Sequence, residues 1–268
     1  MRTLGLAGAL ALASVATAAA SPDDLVARPL VLAPGQVAAQ VVLETSLAAR
    51  ERFSPLTLAP DAWVGLTPRL TVGLVHSDAS LDRVTFGASL CVRTSDTACP
   101  RVYHGSGLDA RYLAWTDGAF AVAPRARLIL RDIDPAKPAT TVGALAAWHR
   151  GRWGLTADPY LQLGLANTDR GNRAELVVPI YVALQPACRW ALTLQTGYAA
   201  DVAVWKDGFH IPVAFAATWR ATPHLEVGAQ LGLTSALGPQ NNVKDSEAWL
   251  VVGWRTGARS PSVRASSP

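Results

Sequence analysis

Residues 153–165 read WGLTADPYLQLGL, and this stretch alternates apolar side chains with polar or small ones. Every odd position from Trp153 to Leu165 is apolar, whereas the even positions hold glycine, threonine, aspartate, tyrosine and glutamine. Because successive side chains of a strand point to opposite faces, this period of two predicts a strand with one apolar and one polar face. Residues 176–184 and 209–219 repeat the pattern. Such strands are typical of a transmembrane β-barrel, whose wall separates lipid from a polar lumen.

The same period along the chain predicts a series of strands joined alternately by tight turns and longer polar connections, as in outer-membrane barrels. The predicted strands cover residues 36–46, 56–66, 69–78, 107–115, 119–131, 139–150, 152–166, 174–185, 190–200, 208–219, 224–234 and 246–255. Most are near the length that a tilted strand needs to cross a bilayer. The sequence therefore predicts an all-β chain with a single transmembrane antiparallel β-barrel of about 12 strands over residues 36–255.

Prolines that lie inside predicted strands include Pro124, Pro159, Pro179 and Pro212. Proline has no N–H group to donate to a β-ladder, so we expect bulges or local bends at these positions. Ten or fourteen strands remain alternatives for this reason.

Five tryptophans lie beside tight turns or at the end of the last strand, on the apolar parity: Trp148, Trp153, Trp190, Trp219 and Trp254. Indole is stable at the membrane–water interface, and barrels carry aromatic girdles there. With the N-terminus in the periplasm and an even strand number, this girdle lies on the periplasmic side. Trp148 and Trp153 flank Arg150-Gly151, so we expect them to be cross-strand neighbours.

The first 20 residues have the pattern of a signal peptide. Met1 and Arg2 precede an apolar stretch, and small residues at 16–20 suit cleavage after Ala20 or a residue or two earlier. The alternative is an N-terminal membrane anchor, for which the apolar stretch is short. We interpret residues 21–35 as an N-terminal extension, and residues 256–268 as a disordered tail rich in Ser, Arg and Pro.

Composition favours a membrane protein and excludes several other classes. Half of the residues are hydrophobic, only 16% are charged, and the formal charge of +4 gives no sign of nucleic-acid binding. No phosphate-binding glycine loop, nucleotide motif or zinc spacing is present, so we expect no cofactor and no metal. Cys91 and Cys99 predict a disulfide formed after export, with a metal pair as the alternative. Cys188 is left as a free thiol.

The inward parity selects a set of polar side chains for the lumen. They are Glu44, Asp61, Asp109, Arg111, Arg125, Arg127, Arg131, Asp158, Tyr160, Glu175, Gln195, His210, Glu226 and Gln230. About twelve strands leave a narrow pore or a plugged one. Counting across the turn at Thr116-Asp117 places Asp109 nearly opposite Arg125, which predicts a salt bridge. Two interpretations stay open: the arginines line a constriction that favours anionic solutes, or they pair with carboxylates and fill the barrel.

Residues 58–74, LAPDAWVGLTPRLTVGL, resemble the hairpins of proteobacterial outer-membrane barrels, including putative transporters grouped with phenol-degradation outer-membrane proteins. Residues 247–254, EAWLVVGW, resemble the C-terminal signal read by the barrel-insertion machinery, although a tail follows here. These resemblances imply a location in the outer membrane of a Gram-negative bacterium and passage of small molecules. Outer-membrane lipid, small solutes and the insertion machinery are the expected partners, and a narrow porin or passive channel is the expected function.

Three other functions are alternatives. His104-Gly105-Ser106 resembles the His-x-Ser of outer-membrane phospholipase A, whose serine acts on lipid from the outer wall of a barrel. The match is incomplete, because Gly107 follows the serine and the neighbouring strand supplies no asparagine for the histidine. The second alternative is a structural or adhesive barrel that acts through its external loops, and the third is a soluble secreted β-sandwich or lectin-like binder.

Overall fold

The computed structural model describes residues 25–47, 56–76, 90–93, 102–103, 105–239 and 246–256. Its strands are β1 (Val37–Ser46), β2 (Leu56–Thr67), β3 (Leu70–Val75), β4 (Leu90–Arg93), β5 (Ser106–Tyr112), β6 (Trp115–Thr116), β7 (Phe120–Ile133), β8 (Ala136–Arg150), β9 (Trp153–Ala157), β10 (Tyr160–Gly164), β11 (Glu175–Ala187), β12 (Trp190–Asp201), β13 (Phe209–Arg220), β14 (Leu225–Leu237) and β15 (Ser246–Arg255). Short 3₁₀ turns occur at Thr168–Arg170 and Val202–Val204. In these ranges, no helix has the length and apolarity needed to cross a membrane.

These segments form one closed antiparallel barrel. Its wall has twelve positions, which we call staves, and each stave is one strand or two strands that follow the same line. β9 and β10 are two halves of a single stave between β8 and β11. β6 continues the line of β5 along β7, and β4 pairs with the start of β2 and bridges to Tyr103. β1 pairs with β15 and closes the barrel. The predicted twelve-strand barrel is therefore confirmed. We name its two rims the tight-turn end, which includes the turns at Pro68 and Gly151, and the loop end, where the longer connections lie.

Apolar side chains cover the outside of the barrel wall, and polar side chains face inward. Leu108, Leu128 and Val142 are 61%, 56% and 59% exposed. Asp109 and Arg127, each next to one of these leucines, are almost fully buried and pair across β5 and β7. A soluble protein buries its apolar side chains and exposes its charges. The reverse pattern here is that of a wall with lipid outside and a polar lumen inside.

The prolines disturb the strands at two of the four expected positions. Pro159 separates β9 from β10, and Pro212 lies where the register between β13 and β14 shifts. Pro179 faces the gap at Pro159 while its own pairing with β12 continues without a shift. Pro124 lies in β7 with no register shift at its position. At Pro159, Pro179 and Pro212 the missing donors coincide with a stave break or a bulge, which is how the barrel tolerates these three residues.

The expected pairing of Trp148 with Trp153 is wrong. Arg150 pairs with Trp153, so Trp148 faces Leu155 instead. The turn consists of Gly151 and Arg152, and Gly151 has a φ of 55°, the left-handed conformation that a two-residue hairpin turn requires. The pairing is therefore centred one residue further along the chain than a turn at Arg150-Gly151 would place it.

Candidate functional site

A buried carboxylate organises the arginines on one side of the lumen. The Oδ1 atom of Asp109 accepts hydrogen bonds from Nε of Arg125 at 2.6 Å and Nε of Arg127 at 3.1 Å. Its Oδ2 atom accepts from Nε of Arg111 at 2.8 Å and from the indole of Trp63 at 3.0 Å. The predicted ion pair between Asp109 and Arg125 is present, and it is part of a larger network.

Asp158 extends this network to the next part of the wall. Its Oδ2 atom pairs with Nη1 of Arg125, and it lies in the interruption between β9 and β10. The guanidinium of Arg111 lies over the Trp63 ring at 5.2 Å from the ring centroid, a cation–π contact. Three arginines therefore share two carboxylates. We call the residues Asp109, Arg111, Arg125, Arg127 and Asp158 the upper arginine cluster.

The N-terminal segment, residues 25–36, crosses the lumen at the tight-turn end. The backbone N–H groups of Leu25 and Val26 donate to Oε1 of Gln185 on β11, at 2.8 and 3.4 Å. Further along, the N–H of Leu32 donates to Oγ1 of Thr71 on β3 at 2.7 Å. β3 and β11 are five staves apart in a barrel of twelve, so the segment connects nearly opposite walls.

Close packing holds the end of this segment against the wall. Val31 and Leu32 are buried, and the N–H of Gly35 donates to the carbonyl of Gly65 at 2.8 Å. Gly65 faces the segment, and a Cβ atom there would collide with the carbonyl oxygens of Leu32 and Ala33. The absence of a side chain at this position is what lets the segment lie against β2.

A second group of arginines surrounds the N-terminal segment. Nη2 of Arg28 pairs with Oε1 of Glu226, and Nε of Arg220 lies 3.5 Å from the same oxygen. Arg255 is near enough to interact electrostatically with all three of these residues. We call Arg28, Arg220, Arg255 and Glu226 the lower arginine cluster.

Both clusters line one cavity of about 490 Å³. Its walls include Arg28, Arg111, Arg125, Arg127, Arg220 and Arg255, together with Asp158 and Glu226. Cavities of roughly 300–1,000 Å³ are the size that small-molecule ligands occupy. The cavity lies between the N-terminal segment and the upper arginine cluster, so it is a widened part of the lumen.

The remaining predicted lumen residues lie away from this cavity. Arg131 and Glu175 face each other near the loop end, with Nη2 and Oε1 3.7 Å apart. Tyr160 is buried and packs against Val177 and Ala199. His210 pairs with Ala199 across β12 and β13, at the loop end of those strands.

Glu226 was among the predicted lumen residues, but the three arginines of the lower arginine cluster and one outer tryptophan were not predicted as site residues. Arg220 and Arg255 follow the outward-facing Trp219 and Trp254, so strand parity already pointed both arginines inward. Arg28 lies outside any periodic segment, and no pattern in the sequence placed it. The five predicted girdle tryptophans are all 38–51% exposed on the outer wall at the tight-turn end. Trp115, 50% exposed beside the same rim, joins them.

The predicted cysteine and catalytic residues fall partly outside the described residues. Cys91 is disulfide-bonded and Cys188 is free and exposed, whereas Cys99 lies outside the described ranges, so their pairing stays a prediction. His104 also lies outside those ranges, and Oγ of Ser106 accepts a hydrogen bond from the Tyr103 hydroxyl at 2.9 Å. Among the described residues, no group of three His, Cys, Asp or Glu side chains could hold a metal ion.

The barrel is similar in fold to two solved porins. A KdgM porin in complex with disordered oligogalacturonate superimposes with a TM-score of 0.56 at 6% identity, over 82% of this chain and 99% of that chain. The NanC porin gives a TM-score of 0.56 at 9% identity, over 82% of this chain and 100% of that chain. No protein-family model and no curated protein matches the sequence. At these identities the similarity establishes the outer-membrane barrel fold.

Proposed function

We propose that the protein is an outer-membrane channel of a Gram-negative bacterium that passes small anionic solutes through a narrow lumen. The observation that carries this proposal is the 490 Å³ cavity inside a closed barrel, lined by six arginines from two clusters. Short turns face the periplasm in outer-membrane barrels, so the tight-turn end is the periplasmic one. The apolar outer wall and its tryptophan girdle support a membrane location.

Charge counting favours the anion-binding interpretation of the arginines over simple neutralisation. The upper cluster has three arginines and two carboxylates, and the lower cluster has three arginines and one carboxylate. The proposal combines the two interpretations: the carboxylates fix the positions of the arginines, and the arginines outnumber them in each cluster. Fixed positive charge in a constriction attracts anions and repels cations.

The size of the lumen limits the solute. The N-terminal segment occupies part of the tight-turn end, so the path suits small molecules rather than polymers of large cross-section. Similarity to the KdgM and NanC porins supports the channel class through the shared fold. The hairpin resemblance at residues 58–74 to the phenol-degradation group supports the barrel class and adds no information on the solute.

Liposome swelling tests the proposal. Purified protein in liposomes should admit succinate faster than a zwitterionic or cationic solute of similar size. Arg111→Gln should reduce the succinate rate, because this side chain is the most exposed of the upper arginines at 21% and its loss disturbs packing least. Arg152→Gln, at an exposed turn outside the lumen, is the matched control and should behave as wild type. A folded protein that admits no solute would contradict the proposal and favour a structural or adhesive barrel.

A further inference from the structure

The lower arginine cluster has more positive charge than its protein partners neutralise. Glu226 is its one carboxylate, and Oε1 of that residue is shared by Arg28 and Arg220. Within the described part of the chain, Arg255 forms no ion pair closer than 4 Å; Glu226 attracts it from further away, whereas Arg28 and Arg220 repel it. The cluster therefore carries a formal excess of two positive charges at the tight-turn end of the lumen.

The side chains of the cluster are withdrawn from solvent, which strengthens the repulsion. The Arg220 side chain is 12% exposed, that of Glu226 21% and that of Arg28 31%. Like charges interact more strongly in such partly buried places than in bulk water. A bound anion would relieve this repulsion.

Space for an anion exists beside the cluster. Gly253 precedes Trp254 and Arg255 on β15 and faces inward, and a Cβ atom built there would meet nothing within 4 Å. Ala38, Thr218 and Gly228, all small, line the same part of the cavity. An oxyanion could therefore approach the three guanidinium groups without displacing a large side chain.

We propose that Arg28, Arg220 and Arg255 form a binding site for an oxyanion, the carboxylate or phosphoryl group of a small solute. Guanidinium groups present paired N–H donors that match the oxygens of both groups. The site is composite, because Arg28 comes from the N-terminal segment and the other two arginines come from the barrel wall. It rests on the proposed function in that it lies in the proposed path, but binding itself requires no conduction.

Glu226 has a defined part in this site. It occupies guanidinium donors of Arg28 and Arg220 in the empty state, so an incoming oxyanion competes with it. Replacing Glu226 with an uncharged residue leaves three arginines and no competitor. The composite site consequently predicts that loss of this carboxylate maintains or tightens anion binding, whereas a cluster that serves only packing predicts no binding in either form.

Isothermal titration of the full mature protein in detergent, with inorganic phosphate and succinate as probes, tests the site directly. Wild-type protein should bind at least one probe, and Arg255→Gln and Arg28→Gln should each weaken that binding by about tenfold or more, the loss expected for a hydrogen bond to a charged group. Glu226→Gln should bind at least as tightly as wild type. Arg173→Gln, whose side chain is 53% exposed and pairs with Asp201 at the loop end, is the matched control and should be unchanged.

Three results would overturn the inference: no binding of either probe by wild type, binding unaffected by both Arg255→Gln and Arg28→Gln, or binding lost in Glu226→Gln. Heat-modifiable migration on a gel establishes that each variant is folded before titration. The outcome is separate from that of the swelling assay. Binding without solute entry would refute the channel and keep the site, and solute entry without binding would do the opposite.

Discussion

The two halves of the lumen share one wall and one alternation of side chains, yet their described charged side chains are arranged differently. Towards the tight-turn end, six arginines surround Asp109, Asp158 and Glu226. Towards the loop end, the inner wall carries Glu44, Glu175 and Glu247, and Arg131 pairs with one of them.

The carboxylates of the two halves are held in place by different kinds of donor. Carboxylates of the arginine half are ion-paired, so they serve to fix the cations. In the loop half, neutral groups donate to carboxylates: the indole of Trp249 donates to Glu247 at 3.0 Å and the amide of Gln162 donates to Glu175 at 3.3 Å. Hydrogen bonds from neutral donors help to fix these carboxylates, and Glu175 is also ion-paired with Arg131. An anion that enters from the loop end therefore passes acidic groups before it reaches the arginines.

The largest expected effect is on stability, from Asp109→Asn. This change keeps the shape of the side chain but removes the charge that pairs with three arginines, so unfolding should become easier by about 3–5 kcal/mol. Glu175→Gln is the matched change in the loop half and should cost about 1 kcal/mol or less, because its ion pair is long and partly exposed. Thermal unfolding followed by gel migration measures both. Equal losses of unfolding free energy in the two variants would contradict the view that the carboxylates of the two halves contribute differently to stability.

Deletion of residues 25–34 should increase single-channel conductance, because it removes the segment that crosses the tight-turn half. Deletion of residues 257–268, a similar length at the other end of the chain, is the control and should leave conductance near the wild-type value. Planar-bilayer recording compares the two. If the first deletion leaves conductance unchanged, the segment does not narrow the path.

Removing one charge from each half should shift ion selectivity in opposite directions. Arg255→Gln should lower the preference for anions, and Glu247→Gln should raise it, since the two side chains carry charges of opposite sign. Reversal potentials of the two variants in the same salt gradient give the comparison. Shifts of the same sign would show that charge along the lumen does not act locally.

The smallest expected effect concerns the outer rim of the tight-turn end. Trp190 and Trp219 pair across β12 and β13 with ring centroids 6.3 Å apart. A double-mutant cycle with Trp190→Leu and Trp219→Leu should give a coupling free energy of about 0.5–1.5 kcal/mol. Trp190→Leu combined with Trp205→Leu, an exposed tryptophan near the loop end, should give additive losses. Coupling of equal size in both cycles would refute a specific contact within the girdle.

The alternation of apolar and polar side chains predicted the barrel and most strand positions. Every stave has this alternation because one of its faces contacts lipid and the other faces the polar lumen. It also predicted the contact between Asp109 and Arg125, although the register places Asp109 opposite Arg127, so that Arg125 reaches it from the neighbouring pair. The exact register at a turn is harder to predict: the turn at Gly151 is centred one residue later than expected, so Trp148 pairs with Leu155 and not with Trp153.

The N-terminal segment could not be predicted, because it has no strand period and its contacts lie on β2, β3, β11 and β14. The grouping of Arg28 with Arg220 and Arg255 could not be predicted for the same reason. Parity pointed Arg220 and Arg255 inward, but only the closed barrel brings β13 and β15 beside Arg28. Contacts between residues almost 200 positions apart depend on closure rather than on any local pattern.

The zero-current reversal potential of wild-type protein in a planar bilayer, under a potassium chloride gradient, tests the central claim most directly. If the arginine half controls passage, the potential should have the sign of a chloride-selective channel, and Arg255→Gln should move it towards zero. A potential with the sign of a potassium-selective channel would contradict the account.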